Sequence, residues 1–225
     1  YKATPDGYIH NLVMAWNLIA KLRDGLSDNP EADRQRALAF ASRAIQIDAD
    51  RGNAYLTDAF IRLSSGDYEN ALINAKRGFS LSINDMEDLG IASIAFLRLA
   101  EYDLAVEAFD RIYAVFPEPD PIWRHYAGVA NLLAGDLVKA RSELQFSAAK
   151  RYLNPFWQQE AILLLAYISD LEGETDEATR WMAKFNELQL PDKPALQIVQ
   201  NTDRETFDAF QKTIQALKDK HPQKG

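Results

Sequence analysis

The 225-residue sequence predicts an all-α protein made of about five helical hairpins and a closing helix. Three observations predict it. A short string returns about every 34 residues; apolar residues flank it at helical spacing; and glycine (10) and proline (9) are scarce and fall mainly between the apolar segments.

The string reads small, acidic, a larger residue, two variable positions, alanine. Its clear copies are Gly66-Asp67-Tyr68-Glu69-Asn70-Ala71, Ala100-Glu101-Tyr102-Asp103-Leu104-Ala105, Gly135-Asp136-Leu137-Val138-Lys139-Ala140 and Gly173-Glu174-Thr175-Asp176-Glu177-Ala178, with an earlier one headed by Arg36-Ala37-Leu38. The alanines at 37, 71, 105, 140 and 178 are therefore 34, 34, 35 and 38 residues apart. Alanine near the start of a second helix lets two helices approach closely, and the glycine and acid before it close one helix and open the next.

The pairs follow in order. In the first, 8–49, Tyr8–Leu22 reads as the leading helix and Asp24–Pro30 as a polar edge loop before the second helix. The second, 52–85, carries Ala54, Tyr55, Ala59 and Leu63, then Ala75 and Phe79; the third, 86–119, carries Leu89, Ala92, Phe96 and Leu97, then Phe109 and Ile112, and stops at Pro117. The fourth, 121–154, carries Tyr126, Ala127, Ala130 and Leu133, then Leu144 and Ala148, with Asn154-Pro155 absorbing the extra length. The fifth, 159–191, carries Ile162, Leu165, Ala166 and Ser169, then Met182 and Phe185, and stops at Pro191. Asp192-Lys193-Pro194 breaks the register, and Asp203, an N-cap with Thr206 three residues on, opens a last helix striped by Phe207, Phe210, Ile214 and Leu217. Trp16, Trp157 and Trp181 read as core between repeats.

The pattern resembles the tetratricopeptide repeat (TPR), best over Asn53–Leu190, through Tyr55, Ala59, Phe96, Ala105, Phe109, Pro117, Trp123, Gly128 and Ala140. Arg62, Ile83 and Tyr152 depart from it. The resemblance implies a right-handed superhelical α-solenoid over residues 1–202, with 203–225 as a capping helix and tail. It also implies a concave groove lined by the first helix of each pair. In the family's register the lining is Asn53, Leu56 and Phe60; Glu87, Gly90 and Ile94; Ile122, His125 and Val129; and Glu160, Leu163 and Tyr167, with Tyr126 as a further anchor. That lining is largely apolar and lacks the lysine, arginine and asparagine set with which family members grip a C-terminal carboxylate. The final helix either caps the stack or folds into the groove. The cluster Trp123-Arg124-His125-Tyr126 reads as a stacking site or as repeat-to-repeat packing.

A formal net charge of −8 disfavours nucleic acid as a partner. No apolar run reaches the roughly 18 residues of a membrane helix. Without cysteine, and with His10, His125 and His221 scattered, no ligand set for a transition metal is evident; glycine-rich phosphate loops and a catalytic constellation are also lacking, so neither cofactor nor enzymatic activity is expected. The expected compartment is the cytoplasm, although a cysteine-free chain suits the periplasm equally. Beginning at Tyr1, the sequence reads as a piece of a longer protein. Ala41–Asp48 and Pro121–Gly128 are similar to the C-terminal repeat regions of bacterial signalling proteins that follow an adenylyl cyclase or a winged-helix domain. The expected function is a scaffold or sensory module that binds a protein or peptide, or self-associates; the alternative is a regulatory or substrate-positioning domain of an enzyme such as an adenylyl cyclase.

Overall fold

The computed structural model describes residues 7–149, 155–191 and 193–222. Tyr1, Tyr152, Asn154, Asp192 and the tail from 223 lie outside the described residues. Over those described, the chain forms eleven α-helices and one 3-10 turn, with no strand. It divides into two compact units, Tyr1–Leu99 and Ala100–Gly225.

Unit 1 holds α1 (Tyr8–Arg23), α2 (Pro30–Ile47), α3 (Gly52–Ser65), α4 (Tyr68–Leu81) and α5 (Met86–Arg98). Asn29 accepts a hydrogen bond from the Ala32 amide at 3.1 Å, and Pro30 follows at the first helical position, so α2 starts early. Ala37 is thus its eighth residue, whereas Ala71 is the fourth of α4. The loop before α2 is tied down by Asp33, a buried carboxylate that accepts from Lys21 and Ser27, each at 2.8 Å. These two hydrogen bonds, Lys21's first, hold the Asp33 carboxyl below its ordinary pKa.

Helices α3 and α4 meet through two glycines. A Cβ on Gly52 would stand 2.5 Å from the Gly78 carbonyl oxygen, and one on Gly78 would stand 2.6 Å from Leu56 Cγ. Neither position accepts even a methyl group without moving backbone or a packed leucine.

Unit 2 holds α6 (Tyr102–Val115), α7 (Pro121–Leu133), α8 (Leu137–Ala149), α9 (Pro155–Leu171), α10 (Thr175–Glu187), the 3-10 turn Gln197–Val199 and α11 (Arg204–Lys220). Glu143 of α8 accepts from Tyr113 of α6 at 2.8 Å and from Arg124 of α7 at 2.7 Å, joining three helices with one carboxylate. Arg141 of α8 contacts Glu172, Glu174 and Glu177 together, so the acidic turn before α10 surrounds a cation. Asp203 caps α11 by accepting from the Thr206 amide at 3.1 Å, and the stripe Phe207, Phe210, Ile214 and Leu217 is buried.

The repeating string keeps one environment throughout. Ala37, Ala71, Ala105 and Ala140 have no exposed surface and Ala178 has 2 %. Gly66, Gly135 and Gly173 take left-handed backbone at φ 79°, 89° and 74°. Ala100 stands in the equivalent turn at φ 58°, a conformation that costs a residue with a Cβ about 1 kcal/mol.

Candidate functional site

Measured from each repeating alanine, the lining residues fall into three columns. Asn53, Glu87, Ile122 and Glu160 precede it by 18 residues; Leu56, Gly90, His125 and Leu163 by 15; Phe60, Ile94, Val129 and Tyr167 by 11. The outer columns are seven residues apart and share a helix face, while the middle one is rotated by about 60° from one and about 40° from the other. The structure separates them accordingly. Leu56, Gly90, His125 and Leu163 are all buried, Leu56 against Gly78 of α4 and His125 against Ser147 of α8. The middle column therefore packs inside the array. Of the outer columns, Asn53, Phe60, Ile94, Ile122, Glu160 and Tyr167 are half-buried, Glu87 is exposed, and Val129 is buried.

In unit 1 the first helices α1, α3 and α5 lie side by side. Trp16 of α1 meets Phe60 at 5.8 Å between ring centroids, and the Arg98 guanidinium of α5 sits 5.7 Å from the centre of the same ring. All three are half-buried. Arg98 lies one turn beyond Ile94 on α5 and so shares its face. Asn53 accepts a hydrogen bond from the Tyr8 hydroxyl, and Arg51 covers the Tyr8 ring at 4.8 Å. Burial pushes the Tyr8 phenol up to about 12, partly offset by Arg51. Trp16 and Arg98 belong to this face although the sequence pointed to neither. Trp16 could have been found by position: it is the ninth residue of α1, as Phe60 is of α3 and Ile94 of α5.

Beside Tyr8 lies a proton-sensitive contact. The Ser82 hydroxyl is 2.9 Å from the Gly78 carbonyl oxygen and 3.0 Å from Asp88 Oδ2, two acceptors for one hydrogen. Both contacts are satisfied when Asp88 carries a proton and donates it to Ser82. Burial pushes the Asp88 carboxyl up to about 6, reinforced by Asp85 and Glu87 and only partly offset by the Ser82 hydrogen bond. A carboxyl whose folded pKa exceeds its unfolded value contributes stability below the unfolded pKa and loses it as pH rises through the folded one. The Asp88 contribution to stability is thus expected to fall by on the order of 1 kcal/mol between about pH 4 and pH 7, the figure being reduced for solvent screening. Asp88→Asn, whose amide donates at every pH, should melt a few degrees higher than wild type at pH 8 and level with it at pH 4. Melting curves for the pair that stay parallel across this range would refute the assignment.

In unit 2 the same face is engaged by the chain's own C-terminal segment. His125 has no exposed surface; its Nδ1 is 3.1 Å from Ser147 Oγ and its Nε2 is 3.0 Å from Glu160 Oε2. A carboxylate only accepts, so Nε2 carries the hydrogen and donates to Glu160. The other Glu160 oxygen accepts from the Leu196 amide at 2.7 Å. Serine, histidine and acid at these distances match the residue types of a hydrolytic relay, but the Ser147 hydroxyl is fully buried and out of reach of a substrate carbonyl. The relay acts as a tie between α8, α7, α9 and the segment leading to α11. Tyr126 packs edge-on against His125 at 5.4 Å. Tyr167 meets Phe210 of α11 at 4.7 Å, and Tyr102 of α6 donates to Asp203 at 2.5 Å. Burial and that hydrogen bond raise the Tyr102 phenol well above its ordinary pKa. Burial also pushes Asp203 up, but the hydrogen bonds from Tyr102 and Thr206 outweigh it and hold the carboxyl below its ordinary value.

Among the described residues no group of three or more His, Cys, Asp or Glu side chains is arranged to hold a metal ion, and no helix is long and apolar enough to cross a membrane.

No family model and no curated protein sequence matches the chain. Solved structures do. YrrB, a TPR protein with an unusual peptide-binding site, superposes with a TM-score of 0.62 at 17% identity, over 83% of this chain and 88% of YrrB. MamA of Desulfovibrio magneticus RS-1 gives 0.59 at 16%, over 80% and 95%. PilF of Pseudomonas aeruginosa gives 0.59 at 13%, over 97% and 95%. At such identities the likeness establishes the fold: an all-α, TPR-like solenoid.

Proposed function

We infer that the chain is a non-catalytic protein–protein interaction scaffold that binds a peptide segment on the first-helix face of unit 1. The observation that carries this reading is the row Trp16, Phe60 and Arg98 across three neighbouring helices, each side chain half-buried. Tryptophan and arginine are the residue types most often found to dominate binding energy, and a partly covered aromatic ring flanked by a cation suits a peptide with an apolar anchor beside a carboxylate or carbonyl. Ile94 extends the apolar surface, Asn53 offers an amide, and the exposed Glu87 supplies an acidic border. The fold shared with YrrB supports the same class of ligand.

The reading is tested with a displayed peptide library selected on the immobilised full chain. Selected peptides should bind about tenfold more weakly to Phe60→Ala and to Arg98→Glu, since truncating an anchor residue typically costs more than 1 kcal/mol. Thermal melts of both variants by circular dichroism separate lost binding from lost folding. Peptides indifferent to both substitutions would sink the assignment.

A further inference from the structure

The C-terminal segment does more than close the chain. It is seated on the outer-column residues of unit 2: Leu196 on Glu160, Phe210 on Tyr167. Helix α11 presents its i, i+3, i+7, i+10 stripe inward and carries four basic and three acidic residues, whereas residues 100–202 carry 9 basic and 16 acidic. A slightly cationic amphipathic helix therefore lies on an acidic body.

Two features mark this helix as an imperfect occupant. The fit leaves an apolar hollow of about 280 Å³ bordered by Leu132, Leu133, Tyr167, Leu171, Leu196 and, on α11 itself, the small side chain of Thr206 as well as Phe210. Leu171 at its rim remains 54% exposed. The connection into α11 is also strained: Gln189 and Leu196 both hold left-handed backbone, at φ 49° and 57°, without being glycine. Release of the segment relieves that strain.

We propose that α11 is an exchangeable intramolecular ligand, and that the face it covers receives a cationic amphipathic helix from a partner protein, one with a bulky apolar residue at the place Thr206 occupies. The resident helix then acts as an autoinhibitory plug: a ligand's apparent affinity is lowered by the fraction of chains in which the face is covered. This inference uses unit 2 alone and stands independently of the unit 1 face.

The test uses the full chain and a fluorescent peptide with the sequence of α11, Arg204–Lys220, carrying leucine in place of Thr206. Tyr102→Phe removes only the hydroxyl that holds Asp203 and loosens the plug. Thr206→Leu fills the hollow from within and tightens it, while leaving the backbone amide that Asp203 caps. The peptide should bind about tenfold more tightly to Tyr102→Phe and about tenfold more weakly to Thr206→Leu than to wild type. Equal affinity for all three would place the peptide elsewhere and overturn the proposal. Binding to none, with all three folded by circular dichroism, would make α11 a permanent part of unit 2 and overturn it too. A dimer that forms in wild type and disappears in Thr206→Leu would make a second copy of the chain the occupant in place of a partner protein.

Discussion

Replacing Ala71 with glutamate is expected to unfold unit 1 at temperatures where wild-type protein is intact. Ala71 has no exposed surface, and its helix, α4, approaches α3 closely enough that glycine is required at both Gly52 and Gly78. A glutamate there adds a methylene and a carboxylate, which overpack the contact and bury a charge. Overpacking alone costs about 1 to 3 kcal/mol, and an unpaired buried charge adds several more unless the group takes up a proton. The total, about 4 kcal/mol or more, is large against the marginal stability of a small domain. Ile73 lies two residues on and is 59% exposed, so Ile73→Glu is the matched control and should change stability by about 0.5 kcal/mol or less. Thermal melts followed by far-ultraviolet circular dichroism decide the matter. Should the two variants melt together, the alanine column has no special role in hairpin packing.

This expectation rests on the part of the fold that was legible from residue order. Alanine in a helix carries little intrinsic information, but alanine recurring behind a glycine and an acid specifies a turn and a close approach together, and all five positions proved buried. Asp203 was readable for the same reason, since capping is local and depends on a residue three positions away. Features that depend on distant residues were not readable. The Arg141 contacts with Glu172 and Glu174 span more than 30 positions, and nothing near Arg141 in sequence announces them. The candidate face was half legible. Phe60 and Tyr167 were placed by register, but the middle column was assigned outward because a difference of about 40° to 60° around a helix is smaller than register alone resolves. Trp16 was read as core because the loop before α2 shifts the first pair out of step with the rest; only helix-start counting recovers its kinship with Phe60 and Ile94.

His125 is where these two kinds of information meet, and its replacement carries the second large effect. Sequence position suggested either a groove anchor or repeat-to-repeat packing; the structure surrounds it with Ser147, Glu160 and the Tyr126 ring. His125→Leu keeps comparable volume but removes both hydrogen-bonding nitrogens. The Ser147 hydroxyl, fully buried, loses the partner at its ring side, and the Glu160 carboxylate retains only the Leu196 amide. Two hydrogen bonds are lost together, a neutral one to a buried hydroxyl worth about 1 kcal/mol and one to a carboxylate worth about 2, giving about 3 kcal/mol for the pair. The loss should fall on unit 2, because every member of the relay belongs to it. Glu160→Gln can still accept from the Leu196 amide through its carbonyl oxygen while its NH2 donates to His125 Nε2, the imidazole taking the tautomer with its hydrogen on Nδ1 toward Ser147. This variant should cost clearly less, and the double variant should cost no more than His125→Leu alone if the two residues act as one unit. Denaturant unfolding of the four proteins reads this directly. If His125→Leu and Glu160→Gln are strictly additive, the histidine and the glutamate are independent neighbours, and the tie that brings the C-terminal segment to α9 has to be sought in Tyr167 and Phe210 instead.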